Sequence, residues 1–488
     1  MNIIEAMARE QNYKLTENGA VALKSTLDKT IDFFGVMGAM RNRSEQDIVE
    51  MFLEAFAENE ETALKMLFYL RDVREGLGER NTFRVICRYL ADHRTEAMRR
   101  NLNYIPEYGR WDDMYVFVGT KLEKDAFEIM LAQFKRDCEN CLAGNKISLL
   151  AKWLKSANSK NKETRKLGLL TIKYFGTTET DYRKVLSTLR EYLNVTEQKM
   201  SANEWDRIDY ESVPSVCHNR NRNAFARHDE ERYVKFLEAV SNGKSKINAN
   251  ALFPYDIVGK YISNGRWGIG TDLDQTLEAQ WKALPNYVEE GKNYLIMADV
   301  SGSMSGRPMD TSIGLGLYFA EHNKGEFANR FMTFSSKPEL VYFDPRLTLS
   351  ERVARALRAN WGMSTDLEAA FMLLLNSAVR NNVPSEEMPE ALIVITDMEL
   401  DAYSGRRSNN FTEEMRRRFE ARGYKLPTLV WWNVNARTNT FHAEATDDVR
   451  FVSGSSASVF KDLCDNLGSS PRDLMLRILY SERYEQIR

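Results

Sequence analysis

The chain has 488 residues, 43% hydrophobic and 28% charged, which suits about two to four domains with a substantial core. Its 67 Lys and Arg against 70 Asp and Glu leave a formal net charge of −3, which excludes a globally basic nucleic-acid-binding protein and leaves only local patches for such a role. No apolar run approaches the ~18–20 residues of a membrane span, and residues 1–11 lack a basic stretch followed by an apolar one, so a cytoplasmic protein is expected.

From the N-terminus the pattern is helical almost throughout. Apolar residues recur near i, i+3, i+4 and i+7 over Ser44–Asn59, Glu61–Arg74, Arg80–Asp92, Thr95–Ile105, Trp111–Phe117, Asp125–Glu139, Ile147–Leu154, Lys162–Phe175, Thr180–Leu193 and Glu230–Ser241. Lengths of a few turns with short polar connectors predict stacked antiparallel helix pairs, an α-solenoid of HEAT-like helical repeats over residues 1–285, with degenerate repeats. Cys87, Cys138, Cys141, Cys217 and Cys464 are odd in number and scattered, as reduced thiols are, and the lone CxxC at Cys138–Cys141 has no second pair to make a zinc site.

Residues 286–488 read differently. Strand-like runs at Tyr294–Val300, Phe331–Phe334, Leu340–Phe343, Ala391–Thr396, Thr428–Val434 and Arg450–Ser453 alternate with helical patterns at Met309–His322, Leu349–Ala359, Asp366–Asn381, Thr412–Arg422 and Ser458–Leu467. This alternation predicts a Rossmann-like, doubly wound, mainly parallel sheet covered on both faces, with ligands outside the carboxyl ends of the strands. Asp299-Val-Ser301-Gly-Ser303 follows the first of these strands, and the i, i+2, i+4 spacing lets one carboxylate and two hydroxyls converge. Thr365 enters a helix and Asp397 ends another buried strand. Asp299 is expected to face solvent, and Asp310, Asp366, Glu399 and Asp401 to support the site without being ligands.

In this order, Asp299, Ser301, Ser303, Thr365 and Asp397 resemble the metal-ion-dependent adhesion site of von Willebrand factor A (vWA) domains. All-oxygen ligands at about 2.0–2.1 Å suit Mg²⁺, or another divalent cation such as Mn²⁺ or Ca²⁺, with one position open to an Asp or Glu of a protein partner. The alternative is a loop whose Ser and Thr only cap helices. Met66–Arg80, Tyr104–Asp113, Ile208–Val216, Ala224–Arg232, Thr396–Glu399 and Leu429–Asn433 resemble the TROVE/Ro-type RNA-binding proteins, and more closely a TROVE-like, vWA-containing family without an assigned function. That resemblance spans about Asn18 to Leu467 and implies a helical ring joined to a vWA domain, with single-stranded RNA held in a positive hole and structured RNA outside.

Local charge agrees with that implication. Lys146–Arg190 holds eleven basic residues against three acidic ones, and His218–His228 interleaves cations with amides and Phe225. Lys152, Lys155, Lys160, Arg165, Lys166, Arg220, Arg222, Arg227 and His228 are the candidate RNA contacts, because such mixtures neutralise phosphates and stack bases. A solvated helix face is the alternative for the lysines, and Arg71, Arg74 and Arg80 are read as bracing helices through Asp72, Glu75 or Glu79. No GxxxxGK[ST], HExxH or GxSxG occurs, so the chain is read as a non-enzymatic RNA scaffold, without DNA specificity or membrane contact, that docks an acidic protein ligand through its metal. A protein-interaction module that binds no RNA is the second reading.

Overall fold

The structure, a computed structural model, describes residues 7, 10–264, 273–288, 293–333, 335–359, 364–404, 410–445, 449–459, 463 and 469–488. A two-stranded hairpin, β1 (Tyr13–Leu15) and β2 (Val21–Leu23), precedes α1 (Lys29–Val36), α2 (Glu45–Glu58), α3 (Glu60–Arg71), α4 (Asn81–His93), α5 (Thr95–Asn101), α6 (Ile105–Tyr108), α7 (Glu123–Leu142) and α8 (Leu150–Trp153). The helical half continues through α9 (Lys162–Phe175), α10 (Glu179–Tyr192), α11 (Thr196–Ser201), α12 (Ser215–His228), α13 (Glu230–Ser241), α14 (Pro254–Asn264) and α15 (Gln275–Lys282). Local signals set these bounds. Ser44 caps α2 by accepting from Asp47 N–H, and its buried Ile48, Met51, Phe52 and Ala55 make one apolar stripe. Asn161 caps α9, which ends at Gly176 in the left-handed region, φ +63°.

The second half is an α/β unit. Strands β3 (Tyr294–Ala298), β4 (Arg330–Thr333), β5 (Leu340–Tyr342), β6 (Ala391–Thr396), β7 (Thr428–Asn433) and β8 (Val449–Ser453) form one sheet in the order β5-β4-β3-β6-β7-β8. Only the β4–β5 pair is antiparallel. Helices α16 (Arg307–His322), α17 (Leu349–Arg358), α18 (Leu367–Arg380), α19 (Phe411–Glu420) and α20 (Pro471–Leu479) accompany it. Strands β3 and β6 are buried at every residue, as central strands covered on both faces must be.

The six expected strands are all present, with the expected Phe334 lying outside the described residues. Most of the helix expected at Ser458–Leu467 also lies outside them. Two helical expectations change: Trp111–Phe117 is a 3₁₀ helix, and Ile147–Leu154 shortens to the single turn of α8. Helix α12 packs on a mixed inward face, where buried Cys217 and Phe225 stand beside hydrogen-bonded polar groups. His218 Nε2 lies 3.0 Å from the Tyr233 hydroxyl, and Asn219 donates to Gln280 at 3.2 Å.

The chain's two ends cross between the halves. The 3₁₀ turn that follows α1, Met37–Asn42, lies on β8 so closely that a Cβ at Gly38 would stand 2.7 Å from the Ser453 carbonyl oxygen. Beyond α20, Arg483 grips Asp72 with two bonds of 2.7 and 2.9 Å, and buried Lys65 donates to the Tyr484 carbonyl at 2.6 Å. Among the described residues no helix is long and apolar enough to cross a membrane.

Candidate nucleic-acid cavity and cation site

The helical half and α16 enclose a cavity of about 1680 Å³, beyond the ~300–1,000 Å³ of small-molecule sites. Ten cations line it (Arg41, Arg71, Arg74, Arg80, Arg110, Lys152, Arg183, Arg190, Arg220 and Arg307) against three carboxylates, Asp112, Glu179 and Glu197. Several of the ten already have partners. Arg71, buried, holds Asp113 at 2.9 Å, Arg41 holds Glu79 at 2.8 Å, and Arg190 donates to the carbonyls of Ala151 and Leu154. Arg110 sits 4.2 Å over the Trp153 ring and Arg307 4.3 Å over Tyr255, leaving flat cation–aromatic pairs on the wall. Arg183 and Arg220 are exposed and have no carboxylate within ion-pair distance among the described residues. Burial, and then the Arg110 and Arg84 guanidiniums, hold Arg80 below the ordinary arginine range. The cavity is short of negative charge.

Of the nine candidate RNA contacts, Lys152 and Arg220 are on this wall. Lys160, Arg165, Lys166, Arg227 and His228 are exposed elsewhere, with His228 stacked on Trp205 at 4.4 Å. Lys155 is half-buried, 5.6 Å over the Tyr115 ring. Arg222 departs from its expected role: it is buried, bonded to Asp274 at 2.6 Å and to the Asn219 carbonyl at 2.9 Å, so it braces α12 against the start of α15. The bracing partners of the earlier arginines also differ from expectation. Arg71 takes Asp113, Arg74 the Glu107 carbonyl, and Arg80 approaches Asp112 at 3.9 Å, while Asp72 receives Arg483. Arg110 and Arg307 come from segments far from any basic run, whereas Arg183 and Arg190, both on α10, fall inside the Lys146–Arg190 stretch without being singled out among its candidates.

At the carboxyl ends of β3 and β6, Asp299, Ser301, Ser303 and Asp397 converge. Ser301 N–H donates to Asp299 Oδ1 at 2.8 Å, the Thr396 hydroxyl donates to Asp299 Oδ2 at 2.7 Å, and the Ser301 and Ser303 hydroxyls are 3.0 Å apart. Ser303 is hydrogen-bonded to Asp397, which also accepts Glu399 N–H at 3.2 Å. Asp299 is buried at 1% exposure, contrary to the expected solvent-facing side chain, because the β6 end and the Ser301 turn close over it. The Thr365 hydroxyl lies 2.9 Å from Asp401 Oδ1 and 3.0 Å from the Glu399 carbonyl oxygen, and accepts from Asn18 Nδ2 at 3.0 Å. Asp366 caps α18, and Asp310 lies against Gly259.

The donor chemistry suits a hard cation. Among the described residues no three His, Cys, Asp or Glu gather, so the set is two carboxylates completed by hydroxyls, an oxygen-only set. Asp299 has no ion-pair partner among the described residues, and burial, followed by the Asp397 charge, pushes its carboxyl up to about 6. Asp397 has Arg437 at 3.3 Å. Of these two buried carboxylates, only Asp397 has a guanidinium within ion-pair distance among the described residues.

A family model described as a domain of unknown function (DUF2828) matches residues 16–136 and 145–292, over half of the chain, and the chain belongs to that family. A second model, a domain of unknown function (DUF7788), matches residues 293–472. The chain is 30% identical over 511 aligned positions, 96% of its own length and 87% of the relative's, to "Uncharacterized protein L728" of Acanthamoeba polyphaga mimivirus. Among solved structures it is similar to the Deinococcus radiodurans RO (RSR) protein, at 14% identity and a TM-score of 0.38, over 94% of this chain and 100% of that one.

Proposed function

We propose that the protein is a non-catalytic scaffold that holds single-stranded RNA in the cationic cavity and a divalent cation, Mg²⁺, Mn²⁺ or Ca²⁺, at the Asp299 rim. The observation that carries the reading is the cavity's ten cations against three carboxylates, with aromatic faces between them. Arg183 and Arg220, without a carboxylate in ion-pair distance among the described residues, would neutralise phosphates, and the Trp153 and Tyr255 faces under Arg110 and Arg307 would accept bases. The resemblance of the sequence to TROVE/Ro-type proteins supports the choice of RNA. At the rim, Asp299, Ser301, Ser303 and Asp397 would hold the cation, with Thr365 reaching it once released from Asp401. The ion would supply an electrophilic position for an acidic group of a protein partner.

A salt titration tests the RNA reading. With about five phosphate contacts (Arg80, Lys152, Arg183, Arg220, Arg307), a single-stranded oligoribonucleotide should show a slope of log K against log salt of about −3.5 between ~50 and ~200 mM. A slope near zero, or no binding at low salt, overturns it and leaves a protein-interaction module.

A further inference from the structure

The rim contains a charged group that the cation reading leaves unexplained. Arg437 Nη2 lies 3.3 Å from Asp397 Oδ2 and 3.2 Å from Glu17 Oε2, so a single nitrogen bridges a buried carboxylate and one that is 57% exposed. Glu17 belongs to the β1–β2 turn, which is pinned over the rim. Its N–H donates to Glu399 Oε2 at 2.8 Å, Asn18 Nδ2 donates to the Glu399 carbonyl at 2.8 Å, and Gly19 forms a bridge with Asp401. Glu399 is itself buried and accepts from Thr438 and Thr440. Two further cations nearby are held elsewhere: Lys14 at 2.8–3.1 Å by Thr440, Thr438 and the Asn439 carbonyl, and Arg43 by the Ala436 carbonyl at 2.6 Å.

Charge counting then separates two states. One guanidinium neutralises one of the two buried carboxylates, whereas a divalent ion between Asp299 and Asp397 neutralises both. The two cations also cannot share Asp397 without strong mutual repulsion in a site this buried. Glu17 offers Arg437 a carboxylate away from Asp397. Resting on the proposed cation site, we infer that Arg437 is a built-in competitor for the divalent ion, and that Glu17 is the acceptor to which it withdraws when the ion binds. Arg437 thereby sets the affinity of the rim, and the hairpin turn carries the counter-charge.

Isothermal titration of the full chain with Mn²⁺ tests this on the wild type, Arg437→Gln, Glu17→Gln and the double variant. Removing a positive charge within ion-pair distance should tighten binding by about tenfold or more in Arg437→Gln. Glu17→Gln, an exposed substitution that leaves the core intact, should weaken it by returning Arg437 to Asp397. The double variant should match Arg437→Gln, because Glu17 acts through Arg437. Wild-type binding left unchanged or weakened by Arg437→Gln overturns the competition while sparing the cation site, as does a double variant that falls to the Glu17→Gln level. No Mn²⁺ binding in any of the four proteins overturns both.

Discussion

The cavity and the rim are built on the same device with opposite sign. In the cavity, cations outnumber carboxylates ten to three. At the rim, two buried carboxylates, Asp299 and Asp397, have one guanidinium within ion-pair distance among the described residues, Arg437 on Asp397. A third cluster, which shares Arg71 and Arg110 with the cavity wall, is satisfied from within and in that sense balanced: buried Asp113 receives Arg71 at 2.9 Å and Arg84 at 2.7 Å, and caps Arg110 N–H at 2.9 Å. The comparison teaches that burial alone does not mark a ligand site, since the deepest ion pair here is satisfied within the protein. In the proposed reading, what marks one is charge left short of partners, because such a charge lowers its free energy when a ligand of opposite sign arrives.

The largest expected effect lies in the balanced cluster. Asp113→Ala strands the buried Arg71 guanidinium and leaves Arg84 only Asp112 at 3.2 Å, and should cost about 3–5 kcal/mol of stability, read by urea unfolding. A loss no larger than that of a surface substitution such as Arg183→Ala, about 0.5 kcal/mol, would erase the distinction between balanced and unbalanced clusters.

Each region also encloses a neutral histidine, which allows a comparison under acid. Burial lowers His218, on α12, and His442, whose Nε2 lies 2.9 Å from the Met398 carbonyl beneath the rim, to about 4. A folded value below the unfolded one means that the unfolded chain takes up protons first. Stability is therefore full above about 6.5 and is lost as pH falls towards 4, by on the order of 3 kcal/mol per histidine. Asp256 and Asp310, raised by burial to about 6, titrate with the opposite slope, so the measurement is the difference from His218→Gln. The stability gap between wild type and variant should narrow from pH 6.5 to 4, and a constant gap would show that His218 is not held neutral.

The smallest effect sharpens the cavity itself. Arg183→Ala with Arg220→Ala should reduce the magnitude of the RNA salt slope by about 1.4, two single-strand phosphate contacts, with stability unchanged. Arg222→Ala, two residues from Arg220 but ion-paired to Asp274, should lower stability and leave the slope intact. Equal slopes in the two cases would place the RNA elsewhere.

Strands β3, β6 and β7 were legible because they are unbroken apolar runs, and Asp299, Ser301, Ser303 and Asp397 because each stands at or just past the end of such a run. Helix α12 was not legible as a packed helix: its buried positions include Ser215, His218, Asn219 and Arg222, which periodicity counts as surface. That error had a functional cost, because the cluster His218–His228 looked like an RNA contact while Arg222 was core.

Local order was written into the chain itself: alternating helices and strands, and carboxylates at strand ends, follow from apolar periodicity and short spacings that neighbouring residues enforce. Which charges remain unpaired emerged only on folding. Arg71 finds Asp113 across 42 positions, Arg437 finds Asp397 across 40, and Arg183 finds no carboxylate among the described residues. Ion pairing depends on distance through space, and for these arginines that distance is set by how the halves close around the cavity and how the hairpin lies on the rim.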